Sequence, residues 1–136
     1  MNHLHHNIFW AVLFGLLAGF LPGCKDFGMP NEPAPDPPGT PAISFKFRVL
    51  PVLTNYGCTG CHGGSGGLFV GTVAQLLTGG SHGAAVVAFN SGNSTLVKKL
   101  VSPPPFGSRM PLGGAALPAD TISVIRQWID EGAIDN

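Results

Sequence analysis

An all-α domain of three to four short helices, joined by long Gly/Pro-rich loops, is the fold class that this sequence predicts. Three observations lead there. Ile122, Ile125 and Ile129 recur at helical spacing, and Val124 and Trp128 widen the apolar stripe. The 136 residues include 20 Gly and 13 Pro but only 10% charged side chains, so irregular backbone takes a large share and helices stay short. No alternation of strand and helix patterns of the βαβ kind occurs along the chain.

The length and a hydrophobic content of 44% suit one compact domain, not two. Seven basic and seven acidic residues balance, and no run of Lys or Arg offers a phosphate-binding stripe, so nucleic acid is excluded as a partner. From Ile8 to Leu21 the chain is almost purely apolar. That is the length of a signal-peptide core and shorter than the ~20 residues a membrane-spanning helix needs. Residues 1–23 therefore read as an export signal. The ending Leu21-Pro22-Gly23-Cys24 resembles a bacterial lipobox, which implies cleavage before Cys24 and a diacylglycerol on its sulfur. Cleavage nearby by ordinary signal peptidase, leaving a spare thiol, is the alternative. Residues 24–42 form a linker, with Pro30, Pro33, Pro35, Pro37, Pro38 and Pro41 among small and acidic residues that bury no core. The folded unit is expected over residues 43–136.

Within that unit, Val49, Leu50, Val52 and Leu53 mark an opening helix, with Pro51 in its first turn or at a bend. A later helix runs from about Ser94 to Val101, with Leu96, Val97 and Leu100 on its buried side. The closing helix is the clearest: Pro118 suits its first turn, Asp120 complements its positive end, and Gly132 suits its exit. Trp128 belongs to its core face.

The chemistry is concentrated in Cys58-Thr59-Gly60-Cys61-His62, the pattern C-x-x-C-H of covalent c-type haem attachment. Two thiols separated by two residues on a helix-like turn each reach one haem vinyl group. The next residue, His62, then lies beneath the iron as its proximal ligand. Gly57, Gly60, Gly63 and Gly64 are expected to let the backbone lie close to the flat ring. A zinc site would need a second pair of ligands, and the only later histidine is His82. A thioredoxin-type dithiol would need the βαβ setting that is missing.

Several further pieces resemble the small monohaem cytochrome c domains of planctomycetes and related bacteria, over nearly all of Ser44 to Asn136. They are an opening helix from Phe45 to Tyr56, Gly67-Leu68 followed by Val73 to Thr78, Met110-Pro111, and Trp128-Ile129-Asp130-Glu131-Gly132-Ala133. The resemblance implies a cytochrome c-like fold around one covalent haem c, with its first and last helices crossing beside that haem. It implies His62 and Met110 as the two iron ligands. Pro111 agrees, because it bars helix and keeps Met110 on a loop. His82 is the rival sixth ligand, although Gly79-Gly80-Ser81-His82-Gly83 reads as an exposed loop.

Arg109 adjoins Met110, where a guanidinium fork suits a haem propionate; a solvated surface charge is the alternative. Pro103, Pro104, Pro105 and Phe106 are expected to wall off one haem edge. From Ile43 onward six basic residues (Lys46, Arg48, Lys98, Lys99, Arg109, Arg126) face four acidic ones (Asp120, Asp130, Glu131, Asp135), or 6 − 4 = +2. Two propionates would cancel that charge, so steering is weak unless Lys98 and Lys99 form a patch.

The resemblance thus implies an exported, non-enzymatic, monomeric one-electron carrier. It would lie in the periplasm or be membrane-anchored through Cys24, between a redox-protein donor and acceptor. An open-site haem sensor or enzyme, and a docking module whose haem is mainly structural, are the competing functions.

Overall fold

The computed structural model describes residues 42–136. The apolar segment 8–21, Cys24 and the Pro-rich stretch up to residue 41 lie outside the described residues.

Ser44 opens the fold: its hydroxyl accepts the Phe47 N–H at 3.2 Å and donates to the Asn136 carbonyl at 2.8 Å. A wide π-helical turn, Phe45–Val49, then runs directly into α1, Leu50–Asn55. Pro51 falls in the first turn of α1, where its fixed φ suits a helical start. A single helical turn, α2 (Cys58–Cys61), carries the two cysteines, and a 3-10 turn, Ser65–Gly67, follows. Helix α3, Val73–Thr78, is fixed at its start by a reciprocal cap. Thr72 Oγ1 accepts from Gln75 N–H at 3.2 Å, and Gln75 Oε1 accepts from Thr72 N–H at 3.0 Å. Helices α4 (Thr95–Leu100) and α5 (Ala119–Asp130) complete the set.

Among the described residues there are five α-helices and no strand, only isolated bridges at Gly63/Phe69 and Gly80/Gly83. The fifth helix beyond the expected three to four is the cysteine turn itself. Nor, among these residues, is any helix long and apolar enough to cross a membrane.

The core forms where the ends of the domain meet. Phe45, Val49, Val52 and Leu53 from the opening segment pack with Ile122, Ile125, Trp128 and Ile129 of α5 and with Val97 and Leu100 of α4. The Phe45 and Trp128 rings lie 5.3 Å apart, centroid to centroid, at 37°. Trp128 is fully buried and donates its indole N–H to the Ile134 carbonyl at 3.0 Å, as a buried indole requires.

Pro118 stands just before α5 with extended ψ (147°), one step outside the first turn expected for it. Asp120 does occupy that turn, where a carboxylate favours the helix dipole. At the other end Gly132 N–H bonds to Ile129 O and Ala133 N–H to Trp128 O, the paired closure of a Schellman exit.

Candidate functional site

Beside α4 lies an open cleft of about 830 Å³, a figure that includes the solvent-filled space at its mouth. Its walls come from four stretches. The cysteine turn gives Cys58 and His62, and the loop after it gives Ser65, Gly66, Leu68 and Val70. The segment after α3 gives Gly80, Ser81, His82, Gly83 and Ala85. Helix α4 and the following loop give Thr95, Leu96, Lys99, Leu100, Phe106 and Met110. Most of this lining is apolar, and none of it comes from α5.

Three of the residues picked out in the sequence thus converge on one cleft: Cys58, His62 and Met110. The α2 turn that presents the first two is closed by His62 N–H donating to Cys58 O at 2.8 Å. Cys58 is half-buried and Cys61 is exposed, and both are free thiols. Burial pushes the Cys58 thiol up from its ordinary pKa, with the neighbouring Cys61 adding to the rise against an opposing backbone hydrogen bond. His62 is half-buried, and its Nδ1 is buried with no hydrogen-bond partner among the described residues. A buried imidazole nitrogen normally has a partner.

Met110 reaches the cleft on a loop that α4 holds. Its N–H donates to Lys99 O at 2.8 Å, and its partly buried side chain packs against the core. Pro111 follows through a cis peptide bond, and the segment is not helical.

Other expectations are redistributed. Arg109 does not line the cleft: its guanidinium donates to Met110 O at 3.0 Å and to Gly114 O at 2.8 Å, bracing the loop from outside. Of the run Pro103 to Phe106 only Phe106 borders the cleft. The glycines that border it are Gly66, Gly80 and Gly83, not Gly57, Gly60, Gly63 and Gly64. His82 is exposed, as its loop suggested, yet its ring stacks on Phe106 with centroids 4.0 Å apart at the cleft wall. Lys98 Nζ lies 3.3 Å from Asn93 Oδ1 and Lys99 Nζ donates to two main-chain carbonyls, neutral partners that leave both positive charges uncancelled.

Val70, Ser81 and Ala85 are further walls that no local motif marks in the sequence. Leu96 and Leu100, expected on the core side of α4, both border the cleft. A signal existed for the last pair, since residues four apart share a helix face.

These residues fit a covalent haem on chemical grounds. The cleft offers a thiol, an unpartnered imidazole nitrogen and a thioether, set in a mostly apolar wall that includes Gly66, Gly80 and Gly83. Among the described residues no three His, Cys, Asp or Glu side chains group as a metal-ion site. Compared with protein-family models, curated proteins and solved structures, the chain matches none.

Proposed function

We propose that the chain is an exported, monohaem c-type cytochrome that carries single electrons. The observation that carries this reading is the convergence of Cys58, His62 and Met110 on one apolar cleft from segments 48 residues apart (110 − 62). Cys58 and Cys61 would hold the group. Each thiol would add across one vinyl C=C, sulfur to one carbon and the thiol hydrogen to the other, consuming no oxidant or reductant. His62 would supply an imidazole nitrogen and Met110 a thioether sulfur to the iron.

When bound, the haem supplies a one-electron ferric/ferrous couple. The protein's own part is to hold and shield. Leu68, Val70, Ala85, Leu96 and Leu100 exclude water from the cleft, which favours the less charged ferrous state and raises the potential. The Lys99 carbonyl and the Arg109 guanidinium fix Met110 N–H and C=O, keeping the ligand in place through both oxidation states.

Partners are a donor and an acceptor protein, with a lipid at Cys24 as the tether. His82 borders the same cleft and is the rival sixth ligand. A six-coordinate, low-spin iron with a sulfur-to-ferric charge-transfer band that Met110→Ala abolishes is the expected spectrum. High-spin iron that binds carbon monoxide readily would favour an open-site sensor or enzyme. Mass spectrometry showing no added porphyrin, on protein matured in a host with attachment machinery, would refute the whole reading.

A further inference from the structure

The segment that carries Met110 is fastened by one side chain whose position in the sequence, on the middle of a short amphipathic helix, gave no hint of it. Lys99 Nζ donates to Phe106 O at 2.6 Å and to Ser108 O at 2.5 Å. The same ammonium lies 4.6 Å from the centroid of the Phe106 ring, which is stacked on His82. The Lys99 carbonyl, at the other end of the residue, accepts the Met110 N–H. One residue therefore grips the loop at 106, 108 and 110 and holds an aromatic against the cleft mouth.

An ammonium has three donors and no acceptor, and two of the three are spent here on carbonyls that lie two residues apart. A surface lysine left to solvent has no reason to fold back in this way, since fixing its stem costs side-chain entropy.

We propose that Lys99 is a positioning residue for the sixth iron ligand: its ammonium locks the 106–108 turn so that the Met110 thioether stays in the cleft. The inference rests on the reading of Met110 as that ligand. Lys99 lines the cleft as well, but in this role it is no iron ligand and acts through the loop. Arginine at 99 keeps a cation with several donors and stacks on an aromatic face, so it should preserve the device; leucine keeps the helix and removes it.

The test is imidazole titration of the ferric, haem-loaded full chain, read as loss of the sulfur-to-ferric band, because exogenous imidazole competes with Met110 for the iron. Lys99→Leu should bind imidazole on the order of tenfold more tightly, the equivalent of about 1.4 kcal/mol. Lys99→Arg should remain close to the starting protein, each affinity being taken per haem bound. Phe106→Leu removes the ring and keeps the carbonyl, so it should give a smaller rise; it also carries the test if Lys99→Leu fails to mature. Imidazole affinities within about twofold of the starting protein, for whichever of Lys99→Leu and Phe106→Leu mature, would overturn the assignment while leaving His/Met ligation intact. A starting protein without the sulfur band would overturn both this inference and the reading beneath it.

Discussion

Gly79→Ala offers a demanding test of how the cleft wall is built. Gly79 closes α3 with φ 74° and ψ −151°, a backbone region reserved almost entirely for glycine. A Cβ there would sit 1.9 Å from the Gly83 carbonyl oxygen and 2.6 Å from Ala84 Cα. Both neighbours are backbone, so no side chain can swing away. Relief requires the 83–84 segment to move, and that movement strains the Gly80 N–H bond to Gly83 O and the Ala85 and Val86 N–H bonds to Leu76 O, each 3.0 Å long.

The conformational cost of alanine at positive φ is about 1–2 kcal/mol. Two or three weakened hydrogen bonds at about 1 kcal/mol each bring the total to roughly 3–5 kcal/mol. A domain of this size has only about 5–15 kcal/mol to lose. Gly83 supplies the control. It also has positive φ, 84°, but its Cβ would meet nothing within 4 Å, so Gly83→Ala should cost only the first part, about 1–2 kcal/mol. Denaturant unfolding of the haem-loaded variants, followed by far-UV circular dichroism, measures both. Because Gly80 to Gly83 line the cleft, Gly79→Ala should also lower the yield of haem-stained protein. Equal losses for the two variants, within about 0.5 kcal/mol, would refute the argument that backbone overlap decides the cost.

Replacing both Cys58 and Cys61 by Ala should give a chain without covalent haem that unfolds gradually, since roughly 95 glycine-rich residues leave little core to offset chain entropy. A stable apo-form with a sharp melt would count against that. Arg109→Ala removes the donors to Met110 O and Gly114 O and should shift the reduction potential and weaken the sulfur band, with Arg109→Lys intermediate. Unchanged potential and spectrum in the alanine variant would leave the guanidinium a surface contact. Ser91 N–H and Oγ both bond Asp130, each at 2.8 Å, and hold its carboxyl below the ordinary value. A lowered folded pKa stabilises the fold fully above the ordinary value of about 3.9 and ceases to do so as pH falls through the lowered one. Ser91→Ala should therefore raise the pH midpoint of acid unfolding, and an unmoved midpoint would show that the carboxyl does not contribute.

The elements written in local spacing were legible. The isoleucine stripe of α5, the proline inside the first turn of α1 and the buried Val97 and Leu100 of α4 follow from spacing over a few residues, and the structure keeps them, whereas Leu96 is only partly buried and lines the cleft. The reciprocal cap of Thr72 and Gln75 was equally local and went unread, although Thr-x-x-Gln before an apolar pair is its signature. What was not legible depends on contacts across the chain. The glycines nearest the cysteine motif were expected at the cleft, yet Gly66, Gly80 and Gly83 are there, because the 66–68 loop folds onto residues 80 and 81. Ser81 N–H and Oγ both bond the Gly66 carbonyl at 2.8 Å, and no spacing rule links positions fifteen apart. Lys99 and Arg109 were read as surface charges or a propionate partner for the same reason: the carbonyls they bind become neighbours only in the fold.

The fastening of Met110 to α4 also divides the molecule dynamically. The loop is held by the Lys99 carbonyl and by two cations gripping main-chain oxygens, whereas the opening and closing segments are joined through Phe45 and Trp128 deep in the interior. Native proteins open in contiguous units, and the cheapest opening is the one that exposes least apolar surface. The Met110 amide should therefore exchange its proton through a partial detachment, and the amides of α5 only when the whole domain unfolds. Access to the distal face is then a property of one loop, adjustable without loosening the rest of the protein.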